Sequence, residues 1–476
     1  MSKTIKTNMA IFSIMLFFMI VNSVYYYDDV FRSYWWYFGW SQDGRPFADL
    51  FYKSLLYFRS DSIPDIYPLP LIISSVVFIY SLTKAIENVD NDNKVVNSIA
   101  FTIFILNPFF ISNLSFKYDG AFMLLSVAFS LVPFSFKSTK YFILSSVVCL
   151  VISLGMYQAS INAYIGIASI IAFVDCFKHN GYRKAIIRLS ASALCVLVSY
   201  IAYSLLIIKN IQLNANFDSY TQTIELSMDG FYNLINNINA ALEKIKLALN
   251  SGIIFPVSLF VITSILAGIF YSFKHKSVWI IVFLILSMIG CFFSSFGISV
   301  FGRHPIFVAR IFIGFGAFIM LMPLICSYMI SNKVNYILSS FMIIPLLCIF
   351  FASINASREE FRYQNNISLQ ILGEINHSFA NDYEYIAIKG YSQHSSIARI
   401  NSKVFPIVSE IIPPIFTDGY AGGAFTLMRN GFKSISTADP SSSNVAFTKA
   451  NKDNLISDNN IYSIHAVDRI ILINFK

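Results

Sequence analysis

The sequence predicts a mainly α-helical, polytopic transmembrane bundle of about eleven spans, followed by a small C-terminal α/β or α+β domain. Three observations carry this reading. Of 476 residues, 56% are hydrophobic and 13% charged, where a soluble domain has roughly 45–50% and 25%. The mean hydropathy is +0.62. Lys and Arg fall mostly in short loops between apolar runs, so the net charge of +8 marks topology rather than a nucleic-acid partner.

The runs lie near 8–25, 67–86, 95–113, 119–136, 141–156, 158–176, 187–208, 252–273, 277–300, 305–330 and 334–354, each near the roughly 20 residues that a span needs. The first has no small-x-small cleavage site after it and reads as a signal anchor. A cytoplasmic N-terminus puts Lys3, Lys6, Lys94, Lys137, Lys140, Lys178, Arg183, Lys184, Arg188, Lys274, Lys276 and Lys333 inside. The opposite short loops keep Lys117 and Arg303. The membrane domain is then 1–354, and the tail, 355–476, lies on the non-cytoplasmic side.

Two other regions belong to that side. Segment 25–66 carries Trp35, Trp36 and Trp40 among polar residues, as expected of an interfacial loop. Segment 209–250 holds Phe231, Leu234, Ile235, Ile238, Leu242, Ile245 and Leu249 at helical spacing, an amphipathic helix on the membrane surface. In the tail, a helix is expected over Arg358 to Phe379, with strands at Tyr383 to Ile388 and Arg469 to Phe475. The six cysteines (Cys149, Cys176, Cys195, Cys291, Cys326 and Cys348) have no metal-ligand spacing and read as reduced structural residues. No Gly-rich nucleotide loop, HExxH or CxxC is present, so no cofactor and no metal are expected.

The chemistry-bearing residues collect on the non-cytoplasmic side. Asp28 and Asp29 follow the first span directly, and Arg32 comes one turn later. Adjacent carboxylates at a membrane surface repel, which raises at least one pKa and suits a general base. They also fit a solvated loop. Arg45 either orders its loop by pairing with a carboxylate or binds a phosphate. Lys117 and Asp119 share a tight hairpin, as a surface ion pair or as a phosphate ligand with its orienting partner. Tyr157 and Gln158 sit in another turn, where Gln158 could bind a hydroxyl. Arg310 falls inside the run 305–330; a charge there either snorkels or faces a cavity, and with Arg303 it makes a clamp for an anionic head group.

These residues also carry a resemblance. Asp28-Asp29 with Arg32, Gly39-Trp40 with Gly44-Arg45-Pro46, and Ala48-Asp49 form its first part. Leu114-Ser115 with Tyr118-Asp119, Met156-Tyr157-Gln158-Ala159-Ser160, and Arg310 with Gly314 and Gly316 complete it, in one order. The set resembles the phage-encoded O-antigen glucosyltransferases of the Gtr type II family, which convert serotype in enteric bacteria. The resemblance implies a GT-C-like membrane glycosyltransferase. Its donor would be undecaprenyl phosphate glucose, supplied by a separate donor synthase and a flippase. Its acceptor would be the O-antigen of lipopolysaccharide in the periplasm, with the chain in the bacterial inner membrane. Asp28 or Asp29 would be catalytic. Lys117, Arg303 and Arg310 would hold the donor phosphate. Arg32, Arg45, Asp119, Tyr157 and Gln158 would bind substrate or order loops. Transfer would be inverting and metal-independent.

Three alternatives compete. A lipid-linked sugar flippase or transporter would want charges near the midplane and repeat symmetry. An O-antigen polymerase or ligase would place its long outer loop late in the chain. A non-catalytic scaffold would leave the aligned polar residues a coincidence.

Overall fold

The hydroxyl of Ser2 accepts from the Ile5 N–H at 3.2 Å and starts helix α1 (Lys3–Val21). The computed structural model describes residues 2–89, 93–179, 182–214, 222–377, 383–412, 415–433 and 436–476. Three short or medium helices follow α1 along segment 25–66 and into the bundle: α2 (Asp28–Trp35), α3 (Pro46–Leu55) and α4 (Leu69–Val89). The bundle continues through α5 (Lys94–Ile105), α6 (Pro108–Leu114), α7 (Asp119–Leu131), α8 (Thr139–Leu154), α9 (Ile161–His179) and α10 (Tyr182–Leu206). Helices α11 (Met228–Ala248), α12 (Ile254–Lys274), α13 (Trp279–Ser294), α14 (Phe315–Met329) and α15 (Asn332–His377) complete it.

Six helical stretches are long and apolar enough to cross a membrane: Lys3–Val21, Leu69–Val89, Gln158–Lys178, Tyr182–Asn210, Met228–Lys274 and Asn332–Asn376. The bent pair α5 and α6 makes a seventh if taken as one span. Four further apolar helices have only 10–17 residues. Among the described residues, length and composition thus support six or seven spans, and the expected count of about eleven is reached only by adding those short helices. The shortness has local causes. Asn107-Pro108 breaks the run 95–113 by 65°, because Pro108 donates no N–H and its ring suits a first helical position. Asn107 caps the new helix through the Phe109 N–H at 3.2 Å.

The run 305–330 is helical only from Phe315. Residues 305–314 are irregular apart from the turn Ala309–Ile311. Side chains from three elements hold this backbone. Asn113 Nδ2 and the Tyr157 hydroxyl donate to the Arg310 carbonyl at 2.9 and 3.0 Å, and Asn162 Nδ2 donates to the Ile311 carbonyl at 3.4 Å. Irregular backbone at such depth is tolerated where protein satisfies it. Gly314 is required there: a Cβ would stand 1.9 Å from the Ser294 carbonyl oxygen.

The amphipathic segment forms α11. Its Ile245 is buried, and Leu234, Ile238 and Leu242 pack against the bundle core, whereas Phe231 and Ile235 are exposed. The chain turns into α12 at Gly252, whose φ of +101° ends the first helix. The three tryptophans divide: Trp35 and Trp36 are exposed, but Trp40 is fully buried, stacked on Tyr52 at 5.0 Å. The interfacial expectation for Trp40 is therefore corrected. Its indole N–H has a buried carboxylate, Asp119, to bind instead.

Helix α15 runs 46 residues from the bundle into the C-terminal domain without a break, past the expected division at 354/355. The helix expected at Arg358 to Phe379 is its continuation, Phe379 itself lying outside the described residues. The domain adds β1 (Tyr385–Lys389), α16 (Ser396–Val404), α17 (Ile407–Ile411), α18 (Gly422–Arg429), β2 (Ser436–Thr437) and α19 (Pro440–Lys449). Strands β3 (Leu455–Asp458), β4 (Tyr462–Val467) and β5 (Ile470–Phe475) follow. The sheet order is β2-β1-β5-β4-β3, with β1 parallel to β2 and β5, and the β5–β4 and β4–β3 pairs antiparallel. Ile367, Ile371 and Ile375 of α15, with Leu427 and Met428 of α18, pack on one face against Ile386, Ile471 and Ile473. Ala446 of α19 covers Ala387 and Leu472 on the other. Both faces of the parallel portion are thus buried. Helix α18 also docks on α2, with Phe425 and Phe31 ring centroids 4.6 Å apart.

Candidate active site

Helix α2 turns Asp28 and Asp29 to different surroundings, because successive helical residues point roughly 100° apart. Asp29 is fully buried. Its carboxyl accepts backbone N–H groups from Tyr26 at 3.0 Å, Lys117 at 2.8 Å and Tyr118 at 3.1 Å, which staples α2 to the 115–119 hairpin. Asp28 instead opens into a cavity of about 420 Å³ shared with Arg32, Asp43, Arg45, Asp119, Tyr157 and Arg310. Its Oδ2 lies 3.1 Å from Arg310 Nη1, and its side chain keeps 39% exposure.

Burial pushes the Asp29 carboxyl up to about 8; the Lys117 N–H pulls against this, and the negative Asp119 adds to it. The expected repulsion between the adjacent pair is not the cause. Desolvation is, since the helix separates the two carboxyls. Folding therefore binds a proton at Asp29. Its contribution to stability is full below the unfolded carboxyl pKa of about 4 and is lost as pH rises through about 8. The melting temperature of the purified protein is expected to fall from pH 5 to 8. Asp29→Asn, permanently neutral, is expected to flatten that slope in a thermal-melt series; an unchanged slope refutes the assignment.

Arg32 and Asp119 line the cavity but are engaged with each other and with the loop. Arg32 Nε is 3.4 Å from Asp119 Oδ1, with 5% and 3% side-chain exposure. Arg32 Nη1 donates to the Tyr37 and Phe38 carbonyls at 3.1 and 3.2 Å, and its guanidinium stacks 3.9 Å from the Trp40 ring centroid. Asp119 Oδ1 accepts from Trp40 Nε1 at 2.9 Å. Both residues order the loop. Asp49 does the same from α3: its carboxyl accepts the N–H groups of Gly39, Trp40 and Ser41 at 3.2, 3.3 and 2.7 Å.

Arg45 projects over the Tyr157 ring, 5.4 Å from its centroid, and donates from Nε to Gln158 Oε1 at 3.3 Å. Gln158 Nε2 donates to the Tyr203 hydroxyl at 3.0 Å, and that hydroxyl donates to the Gly44 carbonyl at 2.8 Å. No carboxylate forms an ion pair with Arg45 among the described residues. The cavity thus holds three guanidiniums: Arg32 paired to Asp119, Arg310 paired to Asp28, and Arg45 held by neutral partners.

Two expected phosphate ligands lie elsewhere. The Lys117 ammonium packs over Tyr25, 4.2 Å from its centroid, and does not line the cavity. Arg303, half exposed, pairs with Glu225 at 3.4 Å. Arg303 and Arg310 thus have different partners, Glu225 and Asp28, and only Arg310 lines the cavity. Sequence reasoning missed Asp43, whose carboxyl burial pushes up against the pull of Arg45, and Asn214, which donates to Asp43 Oδ1 at 3.2 Å. Asp43-Gly44 reads as a turn in the sequence, and that signal concealed a cavity-facing carboxyl. Among the described residues no group of three His, Cys, Asp or Glu side chains could hold a metal ion.

The family model described as "Glucosyl transferase GtrII" matches residues 17–321, which contain every cavity residue named above. A relative described as "Uncharacterized 55.3 kDa protein in gtrB 5'region", from Salmonella phage P22, is 26% identical over 473 residues, covering 96% of this chain and 95% of its own. No solved structure matches.

Proposed function

The chain belongs to the glucosyl transferase GtrII family, and from that premise we propose how this membrane glycosyltransferase works: it moves glucose from undecaprenyl phosphate glucose to the O-antigen of lipopolysaccharide. Transfer occurs on the periplasmic face of the bacterial inner membrane, with the N-terminus cytoplasmic and the C-terminal domain periplasmic. In a phage-borne gene this is serotype conversion. Glucosyl transfer displaces the transporter, polymerase and scaffold alternatives.

The observation that carries the mechanism is one cavity that holds Asp28, the guanidinium of Arg310 paired to it, and the guanidinium of Arg45. A lipid monophosphate entering it competes for Arg310 and releases Asp28 from its ion pair. Asp28 then accepts the proton of the attacking sugar hydroxyl. The new C–O bond forms at the anomeric carbon as the bond to the phosphate oxygen breaks, and the phosphate departs with that electron pair. A single displacement inverts the anomeric centre. Arg310 and Arg45 stabilise the charge gained by the phosphate, which needs no metal for this. Donor synthase and flippase act before this step.

The test uses membranes containing the chain, lipopolysaccharide, and either synthetic undecaprenyl phosphate glucose or a glucose nucleotide. One hexose per O-antigen repeat by mass spectrometry, with the lipid donor alone and in the presence of EDTA, is the expected result. Transfer from the nucleotide without lipid refutes the donor, and loss with EDTA refutes metal independence.

A further inference from the structure

A second cavity, of about 380 Å³, opens in the C-terminal domain. It lies beyond the residues matched by the family, so that assignment says nothing about it. Its floor is the carboxyl ends of the parallel strands β1 and β2. The chain leaves β1 through helices of which α18 packs on one sheet face, and leaves β2 through α19 on the other. Open α/β sheets bind ligands at such a point, where successive connections part to opposite faces. The volume is within the roughly 300–1,000 Å³ usual for ligand sites.

We infer that this cavity binds a saccharide unit of the acceptor glycan, a reading that rests on the transfer proposed above. Its walls supply what a pyranose needs: the Phe447 and Tyr420 rings as apolar surfaces, and Asn444, Ser443, Asp418 and Lys389 as partners for hydroxyls. The charges are of both signs, which fits a neutral ligand better than a phosphate. The anion seat usual at the following helix is already filled. The Asp439 carboxyl caps α19 by accepting from the Ser441 and Ser442 N–H groups, both at 3.0 Å.

The cavity is next to the active site. Tyr420 lines it, and the Tyr420 ring stands 5.7 Å from Phe31 and 5.9 Å from Tyr27. Phe31 lines the Asp28 cavity. One aromatic layer therefore separates the two, and a glycan held in the first presents a neighbouring residue to the second.

The full-length enzyme in nanodiscs serves for the test, with oligosaccharide released from the O-antigen as the probe. Asn444→Ala removes an exposed side chain, and Ser443→Trp fills the cavity. Loss of one hydrogen bond is expected to raise the acceptor KM about tenfold with kcat and donor KM unchanged, and the tryptophan is expected to raise it further. Saturation-transfer NMR is expected to show weaker oligosaccharide binding in both. Wild-type acceptor KM and wild-type binding in Asn444→Ala, with an unchanged melting temperature, overturn the inference whether or not Ser443→Trp folds. If the wild type transfers no glucose yet these variants still lose oligosaccharide binding, the glycan site stands and the transfer proposal falls.

Discussion

Asp28→Asn is expected to lower kcat for glucosyl transfer by about 10²–10⁴-fold, the range for removing a general base, while the protein still inserts and melts normally. Asparagine keeps the shape of the side chain and can still accept from Arg310, but it cannot take a proton. The cavity opening of Asp28 makes the substitution tolerable for folding, since the side chain keeps 39% exposure. The comparison that gives the result meaning is Asp43→Asn. Asp43 lines the same cavity but is bound by Asn214 and lies beside Arg45 rather than Arg310. A base role for Asp28 requires the larger loss at Asp28. Equal, small losses at both positions place the proton acceptor elsewhere.

Arg310→Ala is expected to cost about 3–4 kcal/mol of transition-state stabilisation, roughly 10²–10³-fold in kcat/KM for the donor, as for loss of one well-placed charge-stabilising group. The backbone of Arg310 is fixed independently of its side chain, because Asn113 and Tyr157 hold its carbonyl. The alanine therefore removes a charge without releasing the segment. Arg310→Lys is expected to recover only part of the loss, since an ammonium cannot reproduce a bidentate fork on phosphate. Initial rates against lipid-donor concentration decide it: an unchanged donor dependence in Arg310→Ala means the arginine serves only to hold Asp28.

The two residues illustrate what the sequence can and cannot convey. Asp28 and Arg310 are 282 positions apart, yet both are recognisable as charges beside or within apolar runs of a hydrophobic chain, and they meet. Charge in such a chain is costly, so its placement is informative. Asp28 and Asp29 look equivalent in the sequence, but a helix assigns one to the cavity and its neighbour to the interior. That assignment needs the helix phase, and Asp28–Trp35 is only eight residues long within a segment that reads as an interfacial loop. Lys117 and Arg303 show the converse. Their place in short loops between apolar runs is readable, but the direction of a long side chain depends on partners, Tyr25 and Glu225, that only the fold brings near.

The same holds for the backbone. Apolar content marks 305–330 as buried but does not distinguish a span from irregular chain satisfied by Asn113, Tyr157 and Asn162. Pro108 was a legible break that composition over a long window conceals. In the tail, β1 and β5 carry dense β-branched runs and are readable, whereas β2 is two residues long and owes its existence to pairing with β1.

The uninterrupted helix Asn332–His377 extends about 69 Å at 1.5 Å per residue. Length at this point behaves like thread on a screw. One residue inserted between the bundle and the sheet would lift the C-terminal domain by about 1.5 Å and swing it by roughly 100°. A surface loop would absorb the same insertion. Evolution can therefore add or remove residues here only in near-whole turns, or must re-form the contact between Phe31 and Phe425 each time it does otherwise.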